Sequence, residues 1–528
     1  MYKRAINIIL ASTLTLATLF MTSCQQSKNE PKARKSSTFT EMADPMLDSV
    51  SQWTSTSEGL NASFVSTNNI YDKSVEPKVG EPLTTMRVMG WQGERLSAQI
   101  LLWTTQDIKD VEFDITDFQA PNHTLPSSIS NIRFVRYVMT DKHKDNVTQQ
   151  LLAADILDNI NIIDIDANTV RPLWVSITIP QGTPAGTYTA TIEVKAKDCK
   201  SKNFNIEVEV QNEKLPEPSK WTYHLDLKQH PAAVARTAGV EVWSEAHFEA
   251  MKPLMKMLAN ASQKVITTTL NKDPWNNQAY DAYPDMITWT KNEDSTWTYD
   301  YTIFDKWVQF MINQGITKMI NCYSVLPYNN DLHYLDTKTN EYVTVQANPG
   351  TEIFNELWHS FFASFKEHLS QKGWLNITNI ALNKHNSDEL ELTLAMLQKE
   401  APELGITYTD NQDGFSSWSY NAWTEYPLRD SRLSNWPAGD TYMVYPDARS
   451  SIRFEKLVEG IQSIEKIKIL RNKLAQSSNP KAPEILKELD ATLATFKIFH
   501  PDNYVEMLDK AKALLNKITN EHALSKSS

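Results

Sequence analysis

The sequence predicts a multidomain β then α/β protein: an antiparallel β-sandwich, an incomplete or distorted (β/α) TIM-like barrel, and a C-terminal helical segment. Three observations predict it. Residues 46–215 carry short runs of alternating apolar residues separated by turn chemistry. After Lys220 the pattern becomes strand, helix, strand, helix. From Ser451 onward, apolar residues recur at helical spacing.

Composition agrees with a folded chain of several domains: 528 residues, 41% hydrophobic and 22% charged. The 52 Lys+Arg against 64 Asp+Glu give a net charge of −12. No basic surplus is left to neutralise phosphates, so nucleic acid is not an expected partner. Fifteen Trp point mildly towards flat apolar ligands such as sugar rings. Cys24, Cys199 and Cys322 are too few for a disulfide framework or a Cys-based metal centre.

The N-terminus reads as an address. Lys3 and Arg4 precede an apolar run over 5–21, and Thr22-Ser23 then lead into Cys24. This order resembles a bacterial lipobox, with Met21 where Leu is more usual. It implies a signal peptide over 1–23, acylation of the Cys24 thiol, and a lipid-anchored protein of the cell envelope with the membrane as a partner. Residues 24–45 are polar at their start, contain Pro31, and are expected to form a flexible tether.

The sandwich is expected over 46–215. Phe204, Ile206, Val208 and Val210 alternate strictly on one face. Val175, Ile177 and Ile179 alternate likewise. They are expected to meet Tyr188, Ala190, Ile192 and Val194 across the turn 181–186 as a long hairpin. Pro216 and Pro218 mark a linker.

The barrel is expected over 216–450, with strands at 222–227, 264–270, 317–323, 377–382, 406–409 and 414–420. Between them lie helices at 244–260, capped by Ser244 and kinked at Pro253, and at 302–314, stopped by Gly315. A third, over 351–372, is capped by Thr351 and ended by Gly373. Its buried stripe is Phe354, Leu357, Trp358, Phe361, Phe365 and Leu369. A fourth covers 388–399, with Asp388 and Glu389 answering the dipole of its first turn. Only three residues separate Asp410 from Gly414. A parallel crossover needs about a dozen, so that junction is expected to be a hairpin and the barrel to stop at six strands. Helices over 451–528 close the domain as a small bundle.

The sequence has no H-x-x-x-H or H-E-x-x-H pair, no G-x-S-x-G elbow, no P-loop and no G-x-G-x-x-G, so neither a metal nor a cofactor is expected. Cys322 lies in a strand and reads as a small core residue. In a barrel the strand ends make the site. Those ends carry Asp226, Lys228 and His230; Asp273, Trp275, Tyr280 and Tyr283; Tyr323 and Tyr328; Asn383, Lys384 and His385; and Tyr420 and Trp423. Trp and Tyr faces with a few polar groups suit a sugar ring. Asp226, His230, Trp275, Tyr280, Tyr323, Tyr328, Tyr420 and Trp423 are therefore the expected substrate-binding residues, and a glycan the expected ligand.

Longer motifs carry a resemblance. The run from Trp436-Pro437-Ala438-Gly439-Asp440 through Tyr442 and Tyr445-Pro446 to Arg449-Ser450-Ser451-Ile452-Arg453-Phe454-Glu455 is similar to glycoside hydrolase family 123. So are Tyr301-Thr302-Ile303-Phe304-Asp305-Lys306-Trp307, Cys322-Tyr323-Ser324, Lys372-Gly373-Trp374 and Asp430-Ser431-Arg432. The resemblance covers roughly residues 220 to 475 and implies an N-terminal β-sandwich and a retaining β-N-acetylgalactosaminidase. In such enzymes the sugar's own acetamido oxygen attacks the anomeric carbon. An Asp polarises the acetamide, and the adjacent Glu protonates the leaving oxygen. This chain departs from the pattern there: Ile380-Ala381-Leu382 is followed by Asn383 in place of that Asp and Lys384 in place of that Glu. Lys228, His230 and Ala232 stand where the family has Trp, Asn and Tyr. The family also has at least two further strand–helix units between the equivalents of Asp410 and Gly414. The resemblance thus implies a glycosidase or glycan-binding lipoprotein whose hydrolysis is impaired.

Overall fold

The computed structural model describes residues 35–45, 53–144, 147–382, 387–408, 414–433, 436–497 and 503–524. The expected signal peptide and Cys24 lie outside the described residues. Among the described residues no helix is long and apolar enough to cross a membrane.

Alternating residues over 61–214 build twelve strands: β1 (Asn61–Val65), β2 (Thr85–Gln92), β3 (Arg95–Thr104), β4 (Ile108–Ile115), β5 (Phe118–Ala120), β6 (His123–Leu125), β7 (Ser130–Lys144), β8 (Val147–Leu157), β9 (Ile162–Ile165), β10 (Thr169–Thr178), β11 (Gly186–Lys195) and β12 (Lys202–Lys214). One sheet runs β1-β3-β10-β7-β8, and the other β2-β12-β11-β4-β9. Their pairing is antiparallel except between β12 and β2. Inward residues of both sheets share one core, with Ile100, Leu173 and Val175 facing Ile192, Phe204 and Ile206.

The expected hairpin is corrected here. β10 pairs with β3 and β7, whereas β11 pairs with β12 and β4, in the opposite sheet. Val175 and Ile177 do share a core with Tyr188 and Ile192, but from opposite sheets rather than along a ladder. Alternation fixes which face is buried; it does not fix which strand lies alongside.

Glu41 lies in the span expected to be tether, yet it is buried against the sandwich. Its carboxylate accepts from Arg136 Nε at 2.8 Å, from Arg171 Nη1 at 2.6 Å and from the Tyr137 amide at 3.0 Å, and it meets Lys73 Nζ at 2.8 Å.

Six strands follow at the expected places: β13 (His224–Leu227), β14 (Val265–Thr269), β17 (Met319–Tyr323), β20 (Thr378–Leu382), β21 (Gly405–Tyr408) and β22 (Gly414–Ser417). β14-β17-β20-β21 form a parallel sheet. A bridge between Leu225 and Gln263 sets β13 beside it. The hairpin expected between β21 and β22 is not formed. β22 pairs in parallel with β13 at the far end of the row, His224 opposite Gly414. Gly414 permits this, since a Cβ there would overlap the His224 carbonyl oxygen. No pairing joins β21 to β22 among the described residues, so the sheet is open and no barrel closes.

A second sheet was not foreseen. β15 (Thr288–Lys291), β16 (Trp297–Asp300), β18 (Asp331–Asp336) and β19 (Glu341–Gln346) pair in the order β16-β15-β18-β19. Its strands of four to six residues are too short to show a period. Trp289 anchors it, stacked 4.6 Å from Phe361 and donating to the Leu270 carbonyl at 2.8 Å.

The helices Glu245–Ala259, Thr302–Gln314 and Glu352–Lys372 begin and end as expected. The Ser244 and Thr351 hydroxyls accept from the amides of His247 and Phe354, and Gly315 and Gly373 end theirs in the left-handed region. The stripe from Phe354 to Leu369 is buried, each large side chain contributing roughly 1.5–3 kcal/mol. Helices Ile452–Ala475, Ala482–Ala494 and Tyr504–Leu524 complete the chain. The first is fastened to the sandwich: Arg453 Nε donates to Asp155 at 2.9 Å, and Lys466 Nζ meets Glu94 at 3.0 Å.

Candidate functional site

The strand ends of β13, β14, β17 and β22 point the same way because the strands are parallel. β13 ends at Leu227, and the chain runs through Lys228 and Gln229 into the helix Pro231–Ala238, with Pro231 in its first turn and Gly239 in the left-handed region as its C-cap. That helix went unrecognised in the sequence, although Pro231 and Gly239 are its start and stop signals. Asn421 clamps the turn: its side chain accepts from the His230 amide and donates to the His230 carbonyl, both at 2.9 Å.

These elements bring Lys228, His230, Asp273, Trp275, Asp281, Tyr283 and Trp418 around one narrow cleft. Trp275 is at its centre, its ring 5.0 Å from those of Tyr283 and Tyr323 and 5.5 Å from Trp418. The Lys228 ammonium sits 5.4 Å from the Tyr323 ring and 5.5 Å from that of Trp418. His230 packs 5.0 Å from Tyr283, whose hydroxyl donates to the Gln229 carbonyl at 2.6 Å. The rings fit closely. The space left for the centre of a water molecule is about 10 Å³, room for one water.

Burial sets the ionisation here. It pushes the Asp226 carboxyl up to about 6, outweighing the opposing pull of Lys228 and Gln263. Burial also lowers His230, against Asp281 and Asp273, so its imidazole is held towards the neutral form. Asp273 accepts the amides of Trp275 and Asn277, each at 3.0 Å. Asp281 Oδ1 accepts from Arg236 Nε at 2.7 Å. His230 Nδ1, Trp275 Nε1, Trp418 Nε1 and Asp281 Oδ2 find no hydrogen-bond partner among the described residues. Buried donors and acceptors left open around one cleft mark a place for a polar ligand or water. Among the described residues no three His, Cys, Asp or Glu side chains group to hold a metal ion.

Of the residues singled out from the sequence, Asp226, His230, Trp275 and Tyr323 are gathered in or beneath this cleft. Tyr280 and Tyr328 are exposed, at 45% and 61%. Asn383 and Lys384, with His385, lie outside the described residues. Asp388 and Glu389 occupy the first turn of the helix Ser387–Glu400, and Glu389 accepts from Asn330 at 3.1 Å.

The structure places Tyr420 and Trp423 elsewhere. The Tyr420 hydroxyl donates to the Leu254 carbonyl at 3.0 Å and its ring packs on Phe454; Trp423 Nε1 donates to the Val444 carbonyl at 2.7 Å. The cause is local. β22 ends at Ser417 rather than at Tyr420, and the Ser419 hydroxyl accepts the amides of Asn421 and Ala422 in a turn. That turn aims Trp418, missed in the sequence, into the cleft and Tyr420 into the core. Gln229 and Asp281 were also missed, although each adjoins a residue singled out at the same strand end, Gln229 beside His230 and Asp281 beside Tyr280.

Comparison with known proteins places this geometry. The chain matches the glycoside hydrolase 123 catalytic domain over residues 229–412 and 405–470, and the glycoside hydrolase 123 N-terminal domain over 64–196. The two catalytic pieces overlap over 405–412, which includes β21. No curated protein matches. Among solved structures, a family 123 glycoside hydrolase from Clostridium perfringens, studied for the details of glycolipid glycan hydrolysis, aligns with TM-score 0.76 and 24% identity. That alignment covers 89% of this chain and 99% of that one. A Bacteroides ovatus GH5 xyloglucanase follows at 10% identity and TM-score 0.19, covering 61% of each chain, too low to carry any argument. With both of its domain models matched in order along residues 64–470, the chain belongs to glycoside hydrolase family 123.

Proposed function

We propose that the cleft takes a terminal N-acetylgalactosamine of a glycan and that this chain hydrolyses the linkage poorly. The observation that carries the reading is the ring of Trp275, Tyr283, Tyr323 and Trp418 at the strand ends of a family 123 chain. Aromatic faces stack on sugar C–H bonds, and the open polar atoms of His230, Trp275 and Asp281 suit sugar hydroxyls. Because the rings leave room for about one water, this reading requires them to part when a sugar enters. Poor hydrolysis rests on the sequence: Asn383 and Lys384 stand at the positions of the family's Asp and Glu.

Two measurements test this. Titration calorimetry with N-acetylgalactosamine at millimolar concentration is expected to show binding, and none with the protein folded would overturn the cleft assignment. Release of 4-nitrophenol from its β-N-acetylgalactosaminide is expected to be slow. Rapid turnover abolished by Asn383→Ala or Lys384→Ala would instead make this an active enzyme. The second reading, a carbohydrate-binding lipoprotein without turnover, is favoured by the same two side chains, and binding with no detectable release would select it.

The tether reading is also proposed. Lys3, Arg4 and the run up to Cys24 support an acylated, envelope-anchored chain. Expressed at full length in a bacterium fed labelled palmitate, the protein is expected to take up label and partition into membranes. Cys24→Ser is expected to lose both, and labelling that survives Cys24→Ser would exclude this anchor.

A further inference from the structure

The two walls of the cleft hang from different strands. Lys228 and His230 follow β13 and Trp418 follows its partner β22, whereas Asp273, Trp275, Asp281 and Tyr283 follow β14. β13 and β14 meet at their start, where the Lys264 amide donates to the Leu225 carbonyl at 2.9 Å. Beyond that point they belong to separate ladders, and two buried glutamine side chains stand between them. Gln263 accepts from the Leu227 amide at 3.0 Å and donates to the carbonyls of Leu227 and Val265 at 3.2 and 2.8 Å. Nearer the cleft, Gln229 accepts from the Thr267 amide at 2.9 Å and donates to the Leu227 carbonyl and, at 3.3 Å, to that of Val265. The strands are thus joined by backbone at the base and by side chains towards the site.

We propose that the seam between β13 and β14 is the joint at which the cleft opens to admit a sugar. The proposal rests on the carbohydrate reading of the cleft, in which the aromatic rings must part. Strands held by a backbone ladder lose several hydrogen bonds at once when they separate. An amide on a flexible side chain can follow the moving strand and keep part of its bonding. The seam is therefore where the sheet yields most readily, and it lies between the two walls of the site. β22 travels with β13. The Tyr420 amide donates to the Lys228 carbonyl at 2.7 Å, and Asn421 holds the His230 backbone, so Lys228, His230 and Trp418 move as one wall. At the mouth the walls are fastened by the Tyr283 hydroxyl on the Gln229 carbonyl at 2.6 Å and by Arg236 on Asp281 at 2.7 Å. These bonds hold the empty cleft shut, and they yield as the joint opens.

Hydrogen exchange on the full chain, read residue by residue, tests this with and without the methyl β-glycoside of N-acetylgalactosamine. Without sugar, the amides of Leu227 and Thr267 are expected to exchange at least about 10-fold faster than those of the likewise buried ladder strand β17. With sugar bound, these two are expected to exchange faster still, while β17 and β20 slow or stay unchanged. Gln263→Met keeps the bulk, withdraws the amide and lies away from the cleft lining; it is expected to speed exchange at Leu227 by about 10-fold and to speed sugar association. Seam amides no faster than those of β17 overturn the joint, whether or not sugar binds. Bound sugar that leaves them unchanged or slower also overturns it, with the cleft reading intact, and so does association unchanged in folded Gln263→Met. Should that variant fail to fold, exchange in the parent decides. If calorimetry shows no binding of the sugar to the folded protein, the cleft reading falls and the opening falls with it.

Discussion

Replacing Asn383 by Asp and Lys384 by Glu together should raise release of 4-nitrophenol from its β-N-acetylgalactosaminide by about 10²- to 10⁴-fold. The first residue of the family pair holds the acetamide as its oxygen attacks the anomeric carbon, where a positively charged ring develops. An Asn amide can hydrogen-bond that group but brings no charge against it. The second residue gives a proton to the departing oxygen. A lysine, with an ordinary pKa of about 10.4, parts with its proton reluctantly near neutral pH. On the proposed reading, both substitutions change the chemistry offered to the reacting atoms. The parallel strands, the aromatic cleft and the matched catalytic domain are present. Because the two groups act on one transition state, Lys384→Glu alone should recover less than the pair. A folded double variant no faster than its parent would show that positions 383 and 384 do not carry the acid and its neighbour. The carboxylates Asp226, Asp273 and Asp281 would then be the ones to replace.

Glu41→Gln should destabilise the protein by about 3–5 kcal/mol, because it leaves the buried Arg171 without its carboxylate. Glu41 is met by Arg136, Arg171 and Lys73, and both arginines are buried. Burial alone would push its carboxyl up. The charge and hydrogen bond of Arg171, with Lys73 and Arg136, more than reverse this and hold it well below the ordinary range. A carboxyl depressed in the folded state stabilises above its unfolded pKa, about 4.3. That contribution is lost as the pH falls from there through the folded value. Urea midpoints at pH 7 should therefore drop in Glu41→Gln, and the loss of stability on acidification should be shallower than in the parent. Equal midpoints would mean that the segment around Glu41 does not dock on the sandwich.

Much of the fold could be read from local pattern. Ser244, Thr351, Gly315 and Gly373 bound their helices as expected, since caps satisfy backbone groups within a single turn. The strands β13, β14, β17 and β20 were found because each is a short run followed by a recognisable helix. What failed was partner choice. β10 and β11 were paired from sequence proximity, and β21 and β22 from a short connection. The actual partners of β11 and β22 are set by burial of the sandwich core and by the fit of Gly414 against His224. The long run from Trp436 to Glu455 marked the family, yet its described side chains mostly fasten the two parts together. Tyr445 donates to Asp155 at 2.7 Å, Arg449 to Asp158 at 2.7 Å, and Arg453 to Asp155 at 2.9 Å. A motif of that kind identifies a fold more directly than a reaction.

The candidate site divides the same way. Asp226, Lys228, His230, Trp275 and Tyr283 were legible because strand ends collect function in parallel α/β folds. Trp418 and Tyr420 were exchanged, because a single turn at Ser419 reverses which of two neighbouring aromatics faces inward, and periodicity carries no information past the end of a strand.

The sequence by itself determined the order of the six parallel strands, the caps and buried faces of the longer helices, the family, and the identities of residues 383 and 384, since these follow from local hydrogen bonding, periodicity and covalent order. Only the tertiary structure decided that the parallel sheet stays open, that Glu41 is buried among cations, and that Gln229 and Gln263 stand between β13 and β14. Each of these depends on groups distant in the chain meeting at ångström separation, and neither spacing nor composition encodes that distance.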